Sequence, residues 1–313
     1  MSNGLLSSVR ISDGASTGER PYAGVELGGT KCVCTLAFGP ERVLDQRTVP
    51  TTSPEETLPA LRAVLEEWQR GPGFAALGIA SFGPIELDPQ SPDYGRILAT
   101  NKPRWPGTDV RGALSDGFAV PVGFDTDVNG AALAEIAWGS GQGMDDFAYV
   151  TIGTGVGVGL VVHGHPTRGF AHSEWGHVRI PRFRGDDHPS VCGFHDDCVE
   201  GLASGSALVS RLAGRTVREL AEDDPVWDPI VAYIAAMAHA LVCGAAPRRI
   251  AIGGGVLTAQ PHLLARIEAA LLESLNGYLP LPEGGHYVTK PALGDMAGPL
   301  GSIALAAAAV KAA

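Results

Sequence analysis

From Tyr22 onward the chain alternates short apolar runs with glycine-rich turns. Tyr22–Leu27, then Gly28-Gly29-Thr30, then an apolar run to Leu36 predicts strand, tight turn, strand. The pattern recurs at Phe147–Ile152, Gly153-Thr154-Gly155 and Val156–Val161, and the two aligned copies point to an internally duplicated chain. Between them, Leu58, Leu61, Val64, Leu65 and Trp68 fall at helical intervals and predict an amphipathic helix over Pro54–Gln69. Leu77–Ser81 predicts a short buried strand, and Pro121–Phe124 a further one ending at Asp125-Thr126-Asp127-Val128-Asn129. A helix is predicted over Gly130–Trp138, capped by Asn129. Later stretches predict helices over Ser206–Leu220 and Pro229–Cys243, a strand at Arg249–Ile252 running into Gly253-Gly254-Gly255 and a helix, and a closing Ala-rich helix. The most apolar runs, Ile230–Val242 and Leu300–Val310, are shorter than the roughly 20 residues that span a bilayer, so no membrane span is expected.

Composition narrows the function. A chain of 313 residues can hold two domains, each with its own core. Its net charge of −11 disfavours nucleic acid and anionic membranes, whose recognition draws on surplus Lys and Arg, and leaves small-molecule chemistry. Five cysteines, an odd number, argue for a reducing compartment and a cytoplasmic location. Residues 1–21 are rich in Ser and Gly without the basic start and apolar core of a signal peptide, and are expected to form a flexible tail.

Three constellations carry chemistry. Both glycine turns bare their backbone amides, as anion sites do, although neither is a P-loop and plain hairpin turns would look the same. Downstream, His177, Cys192, His195 and Cys198 have the residue types and spacing of a tetrahedral zinc site, against the alternative of a Cys192–Cys198 disulfide. Glu174 and Glu200 bracket that run and are not needed to complete a zinc shell, which implies another ligand beside the metal. Asp125 and Asp127 stand where a strand meets a helix, a place that turn and capping residues also favour. The glycines at 253–255 permit close approach of a flat or anionic ligand.

Taken together, Glu26-x-Gly-Gly-Thr-Lys31, the turn at Gly153–Gly157, Asp127-x-Asn129, Glu174-x-Gly-His177, the cysteine run ending at Cys198-x-Glu200, and Gly253–Gly255 resemble the ROK family of sugar kinases. The resemblance implies a duplicated actin-like ATPase (ribonuclease H-like) α/β fold with a cleft. It implies a small domain of residues 22–117 plus 297–313, a large domain of 118–296, and a homodimer. It implies ATP held by Gly28, Gly29, Thr30, Lys31, Gly153, Thr154 and Gly155, with Gly253, Gly254 and Gly255 near the adenosine. Asp127 would be the general base, and Glu174, His177, Glu200 and Thr126 would face the sugar. Structural Zn²⁺ would sit on His177, Cys192, His195 and Cys198, and Mg²⁺ would arrive with ATP, oriented through water by Glu26. Arg104 and Trp105 lie near where the family closes over its substrate. Glu26, Thr126, the Cys192-Gly-Phe-His195 start and Ser91-Pro92-x-Tyr94-Gly95 match the fructokinase branch, so fructose is the expected sugar, ahead of glucose or mannose. Sugar-responsive regulators of the same family carry a DNA-binding segment ahead of the kinase-like body, for which the residues before Tyr22 are too few.

Overall fold

The computed structural model describes residues 20–212 and 214–312. Most of the stretch expected as a tail lies outside them. The first half comprises β1 (Tyr22–Leu27), β2 (Lys31–Gly39), β3 (Arg42–Pro50), α1 (Pro54–Arg70), β4 (Leu77–Ser81), α2 (Val110–Ser115), β5 (Val122–Thr126) and α3 (Asp127–Trp138). The second comprises β6 (Phe147–Ile152), β7 (Val156–Val162), β8 (His165–Pro166), α4 (Val199–Ala203), α5 (Gly205–Arg211), α6 (Trp227–Ala245), β9 (Ile250–Gly253), α7 (Gly255–Ala259), α8 (Leu263–Leu275) and β10 (Val288–Thr289). A final helix, α9 (Ala297–Ala312), closes the chain. Two five-stranded sheets result, ordered β3-β2-β1-β4-β5 and β10-β9-β6-β7-β8. In each, a hairpin (β1/β2, β6/β7) is extended by parallel strands: β4 and β5 in one sheet, β9 and β10 in the other. β1 and β6 span equivalent positions of the two repeats and β2 and β7 begin at equivalent positions, so the duplication legible in the sequence is structural, and the fold is the α/β actin-like design.

The first sheet is tied to α9 by the absence of side chains. Gly24, Gly78 and Gly123 stand in register on β1, β4 and β5. A Cβ built on Gly24 would collide with the Ser302 side chain, one on Gly78 with the Ser302 carbonyl, and one on Gly123 with the Leu305 carbonyl. The helix therefore lies in a trough across three strands, and its Ala-rich composition keeps the approach close. On its other side Gly301 meets Gly130 of α3, backbone against backbone. Small residues matter here because dispersion gains decay steeply with separation.

Several elements depart from the sequence reading for local reasons. The first sheet includes β5, beyond the boundary expected at residue 117, because β5 completes the parallel run and contributes the third trough glycine. Helix α3 begins at Asp127 rather than Gly130, since Thr126 is the residue with extended backbone and its Oγ1 accepts from Asn129 N at 3.2 Å. Asn129, expected as the cap, is inside the helix. The helix expected over Ser206–Leu220 stops at Arg211, and a separate turn at Val217–Glu219 starts from a Thr216/Glu219 capping box. Helix α6, at 19 residues, is the one helix among the described residues long and apolar enough to cross a membrane, but Trp227, Ile230, Tyr233, Ile234, Met237 and Leu241 are buried in the second half's core.

Gly78→Ala is expected to cost about 3 kcal/mol, the upper end of ordinary overpacking, because its new methyl meets backbone rather than a movable side chain. Urea unfolding should register this as a lower midpoint with an unchanged slope.

Candidate active site

A cavity of about 700 Å³ opens where the two sheets present their glycine turns. Gly29 and Thr30 line one wall, Gly153, Thr154 and Gly155 another, and Thr126, Asp127, Glu174, His177, His195 and Glu200 complete it. Residues far apart in sequence thus converge because β1, β5 and β6 all end at the cleft. Asp127 occupies the first turn of α3, directly after β5, with its Oδ1 accepting from Val128 N at 2.9 Å. Its neighbour Asp125 is buried and acts differently: Asn129 Nδ2 donates to it at 2.7 Å and Arg168 Nη2, from the segment after β8, at 2.6 Å. Asp125 is thus fully engaged in holding the strand–helix junction, which leaves Asp127 as the aspartate facing the cavity.

Burial raises three acidic groups at the site, two of them with help from a neighbouring carboxylate. Loss of surrounding water, followed by the charge of Glu26, pushes Asp127 up to about 7. Burial also pushes Glu26 up to about 7, offset in part by Lys31. Glu174 goes up to about 7 as well, through desolvation in the cleft and then the charges of Glu200 and Asp127. A carboxylate raised to near-neutral pH beside an anion-binding turn is suited to accept a proton.

The cysteine–histidine run closes into a cluster whose four ligand atoms lie within 4.8 Å of one another. Cys192 Sγ is 3.7 Å from the Nδ1 atoms of both His177 and His195, and Cys198 Sγ is 3.8 Å from His177 Nδ1. A tetrahedron with Zn–S of about 2.3 Å and Zn–N of about 2.0 Å has S–N edges of about 3.6 Å, so the donors fit a zinc ion. Backbone amides of Phe194 and Gly201 point at the two sulfurs, at 3.4 and 3.3 Å, as outer donors to metal thiolates do. Without a cation, burial would push the Cys198 thiol up to about 11. All described cysteines are free, so the disulfide alternative falls. The loop is held from behind by a buried Asp186–Arg211 pair at 2.7 Å and by Tyr233, which donates to Asp186 at 2.5 Å.

This cluster orients the groups beside it on the cavity wall. With Nδ1 turned to the sulfurs, His177 leaves Nε2 on the cavity side, 3.8 Å from Glu200 Oε1. Glu200, in the first turn of α4, accepts from Val156 N at 3.1 Å, immediately beyond the second glycine turn. Gly155 is glycine for the same reason: a Cβ there would lie 2.5 Å from Glu200 Oε2.

Other expected site residues stand back from the cavity wall. Glu26 faces Gly298 in the first turn of α9 and reaches the cavity through its charge on Asp127. Lys31 is exposed at the start of β2, and its carbonyl closes the Gly28 turn at 3.1 Å. Gly28, Gly253, Gly254 and Gly255 are also outside the wall, with Gly254 in the left-handed region (φ 90°) against Ile152 as α7 begins. Thr126 lines the cavity while its hydroxyl serves as the helix cap. Trp105 is a core residue, donating to Thr52 O at 2.9 Å, and Arg104 turns outward to Glu55 at 3.1 Å.

Sequence reasoning missed Phe82, Asn101, Lys102, His172 and Phe194, which share the wall. His172 is buried; its Nε2 accepts from Ile85 N of the first half at 3.0 Å, so the neutral ring carries its proton on Nδ1, 3.5 Å from Glu174 Oε1. The adjoining Ser173 and Glu174 motif was the available signal. Lys102 had one too, in the polar Thr100-Asn101-Lys102 stretch before Trp105.

The family model of the ROK family matches residues 22–309. A fructokinase of Zymomonas mobilis is 41% identical over 295 residues, covering 92% of this chain and 97% of that protein. A fructokinase of Pediococcus pentosaceus is 39% identical over 287 residues, covering 92% and 98%. Among solved structures, a ROK family glucokinase from Streptomyces griseus in complex with glucose and AMPPNP superposes with a TM-score of 0.72 at 25% identity, covering 91% of this chain and 99% of that one. By match length and by identity over nearly the whole chain, this protein belongs to the ROK family.

Proposed function

We propose that the protein transfers the terminal phosphoryl group of ATP to D-fructose, giving fructose 6-phosphate. The observation that carries the reading is the convergence of Asp127, Glu174, His177, Glu200 and both glycine turns on one cavity. The choice of fructose rests on the fructokinases that share 39–41% of their residues with it.

In this reading the 6-hydroxyl of the sugar gives its proton to Asp127 as its oxygen bonds to phosphorus, and the bond to the ADP oxygen breaks. Glu174 and Glu200 accept from hydroxyls of the sugar, and His177, which carries its proton on Nε2 when Nδ1 is on the metal, donates to a sugar oxygen, so that the reactive end is fixed toward Asp127. Amides of the turns at Gly29–Thr30 and Gly153–Gly155 hold the phosphates, and Gly253–Gly255 lie toward the adenosine. Mg²⁺ bound with ATP supplies charge neutralisation on the phosphates. Zinc on His177, Cys192, His195 and Cys198 is structural, since four protein ligands leave no open position. The free cysteines accord with a reducing, cytoplasmic setting.

Asp127→Asn should lower kcat by about 10²–10⁴-fold while fructose still binds, read by ADP release with fructose, glucose and mannose as alternative acceptors. Fructose-independent ADP release in the wild type, with no sugar stimulating it, would end the kinase reading. A base must be ionised to act, so kcat/KM is expected to fall as pH drops through about 7, where Asp127 titrates. Glu26→Gln removes a negative charge that raises Asp127, and the acidic limb of the pH–rate profile should move to lower pH. Cys198→Ser is expected to lose zinc by elemental analysis and to raise the KM for fructose more than that for ATP; zinc-free wild-type protein would refute the metal assignment.

A further inference from the structure

Bringing a polyphosphate to this cavity places it beside Asp127, Glu174 and Glu200, so the chain must offer a cation. Among the described residues that line the cavity, Lys102 is the only lysine or arginine. Lys31, which the glycine-turn motif nominated, is exposed at the head of β2 and outside that wall. The loop carrying Lys102 is anchored at its base, where Trp105 packs edge-on against Phe82 at 5.2 Å between centroids and donates to Thr52 O. From that anchor the Lys102 side chain turns inward. Its ammonium lies 5.2 Å from the centre of the Phe82 ring and donates to the carbonyl of Gly29, in the first glycine turn. No carboxylate is in ion-pair range of it among the described residues. An ammonium has three donors, and one carbonyl and a ring face leave the remainder open to a ligand in the cleft. Burial pulls Lys102 below its ordinary range, the mark of a partly desolvated charge without a counter-ion.

We propose that Lys102 is a catalytic residue that binds the transferring phosphoryl group, exchanging the Gly29 carbonyl for the terminal phosphate of ATP and staying with that group on the sugar product. The position favours the terminal phosphate over the inner ones. Gly83, next to the Phe82 ring that Lys102 faces, lies against His172 and Glu174: a Cβ there would be 3.1 Å from the His172 ring and 3.6 Å from Glu174 Oε1, the groups that hold the acceptor in this reading. Lys102 forms and breaks no covalent bond; it balances charge that accumulates on the equatorial oxygens during transfer. The inference rests on the kinase reading for its chemistry.

The test combines initial rates on fructose and ATP with calorimetric titration of Mg-AMPPNP and Mg-ADP, for wild type, Lys102→Met, Lys102→Gln and Lys102→Arg. Met and Gln are expected to lower kcat by about 10²-fold or more, with little change in the KM for fructose. They should weaken Mg-AMPPNP by about tenfold and leave Mg-ADP unchanged, while Arg recovers part of both losses. Two neutral side chains of different shape separate charge from packing. Wild-type kcat in the Met and Gln variants, equal weakening of AMPPNP and ADP, or an effect confined to the KM for fructose would each overturn the proposal. A wild-type protein that phosphorylates none of the sugars would remove the kinase reading instead, and the AMPPNP-against-ADP comparison would still decide for or against Lys102.

Discussion

The close seating of α9 on the first sheet is the constraint on which the rest depends. Three glycines in register on β1, β4 and β5 let the helix backbone approach the strands, and a glycine pair, Gly130 with Gly301, lets α3 approach α9 in turn. The site follows from that stacking. Strand β1 ends in the first glycine turn, β5 ends at Thr126, and α3 begins at Asp127. Moving α9 outward by one methyl group would carry α3, and with it Asp127, away from the turn at Gly29. The same helix bears Gly298, against which Glu26 packs, so the charge that most raises Asp127 after burial is held by the element that sets its position.

The chain leaves its acidic site short of positive charge. Asp127, Glu26 and Glu174 all stand near 7, each through lost water first and a like charge second or third where one is near. The helix N-terminus beneath Asp127 and its Val128 amide work in the opposite direction and are outweighed by burial. Such an arrangement is poor for stability at neutral pH and good for accepting a proton from a hydroxyl. Cations that would relieve it come with the substrates or from Lys102, not from a fixed salt bridge. Where the chain does pair a buried carboxylate with arginine, as in the buried Asp186–Arg211 pair and in Asp125 with the part-exposed Arg168, it does so to hold the loop and the strand–helix junction.

What was legible in the sequence was what depends on local pattern or on a ligand set. The duplicated hairpins, β4, the zinc spacing and the Asp127 position were all readable, because strand alternation, glycine turns and metal ligands each constrain a few adjacent residues. What could not be read was set by contacts across the fold. Nothing local distinguishes Thr126 from Asn129 as a helix cap; the choice falls to Thr126 because β5 runs two residues past Phe124, pairing Ser81 with Thr126. Glycines at 24, 78 and 123 look like strand weakeners singly, and only their register makes them a trough. His172 acquires its place from Ile85 of the other half, and Lys102 from Phe82 and Gly29, about 20 and 73 positions away in the chain, so neighbouring residues alone gave little reason to prefer them over Arg104 or Lys31.

The zinc cluster and the second glycine turn are usually separate devices, yet here one carboxylate joins them. Cys198 is the N-cap of α4, Glu200 lies in its first turn, and Glu200 accepts from Val156 N directly after Gly155. A metal that fixes Cys198 therefore also fixes the register of Glu200 against the phosphate-side turn. His177 adds the second constraint, with Nδ1 on the metal side and Nε2 facing Glu200. The Cys/His cluster and the second glycine turn are thus tied together through one short helix, whereas Lys102 of the first half is carried on the loop anchored by Trp105.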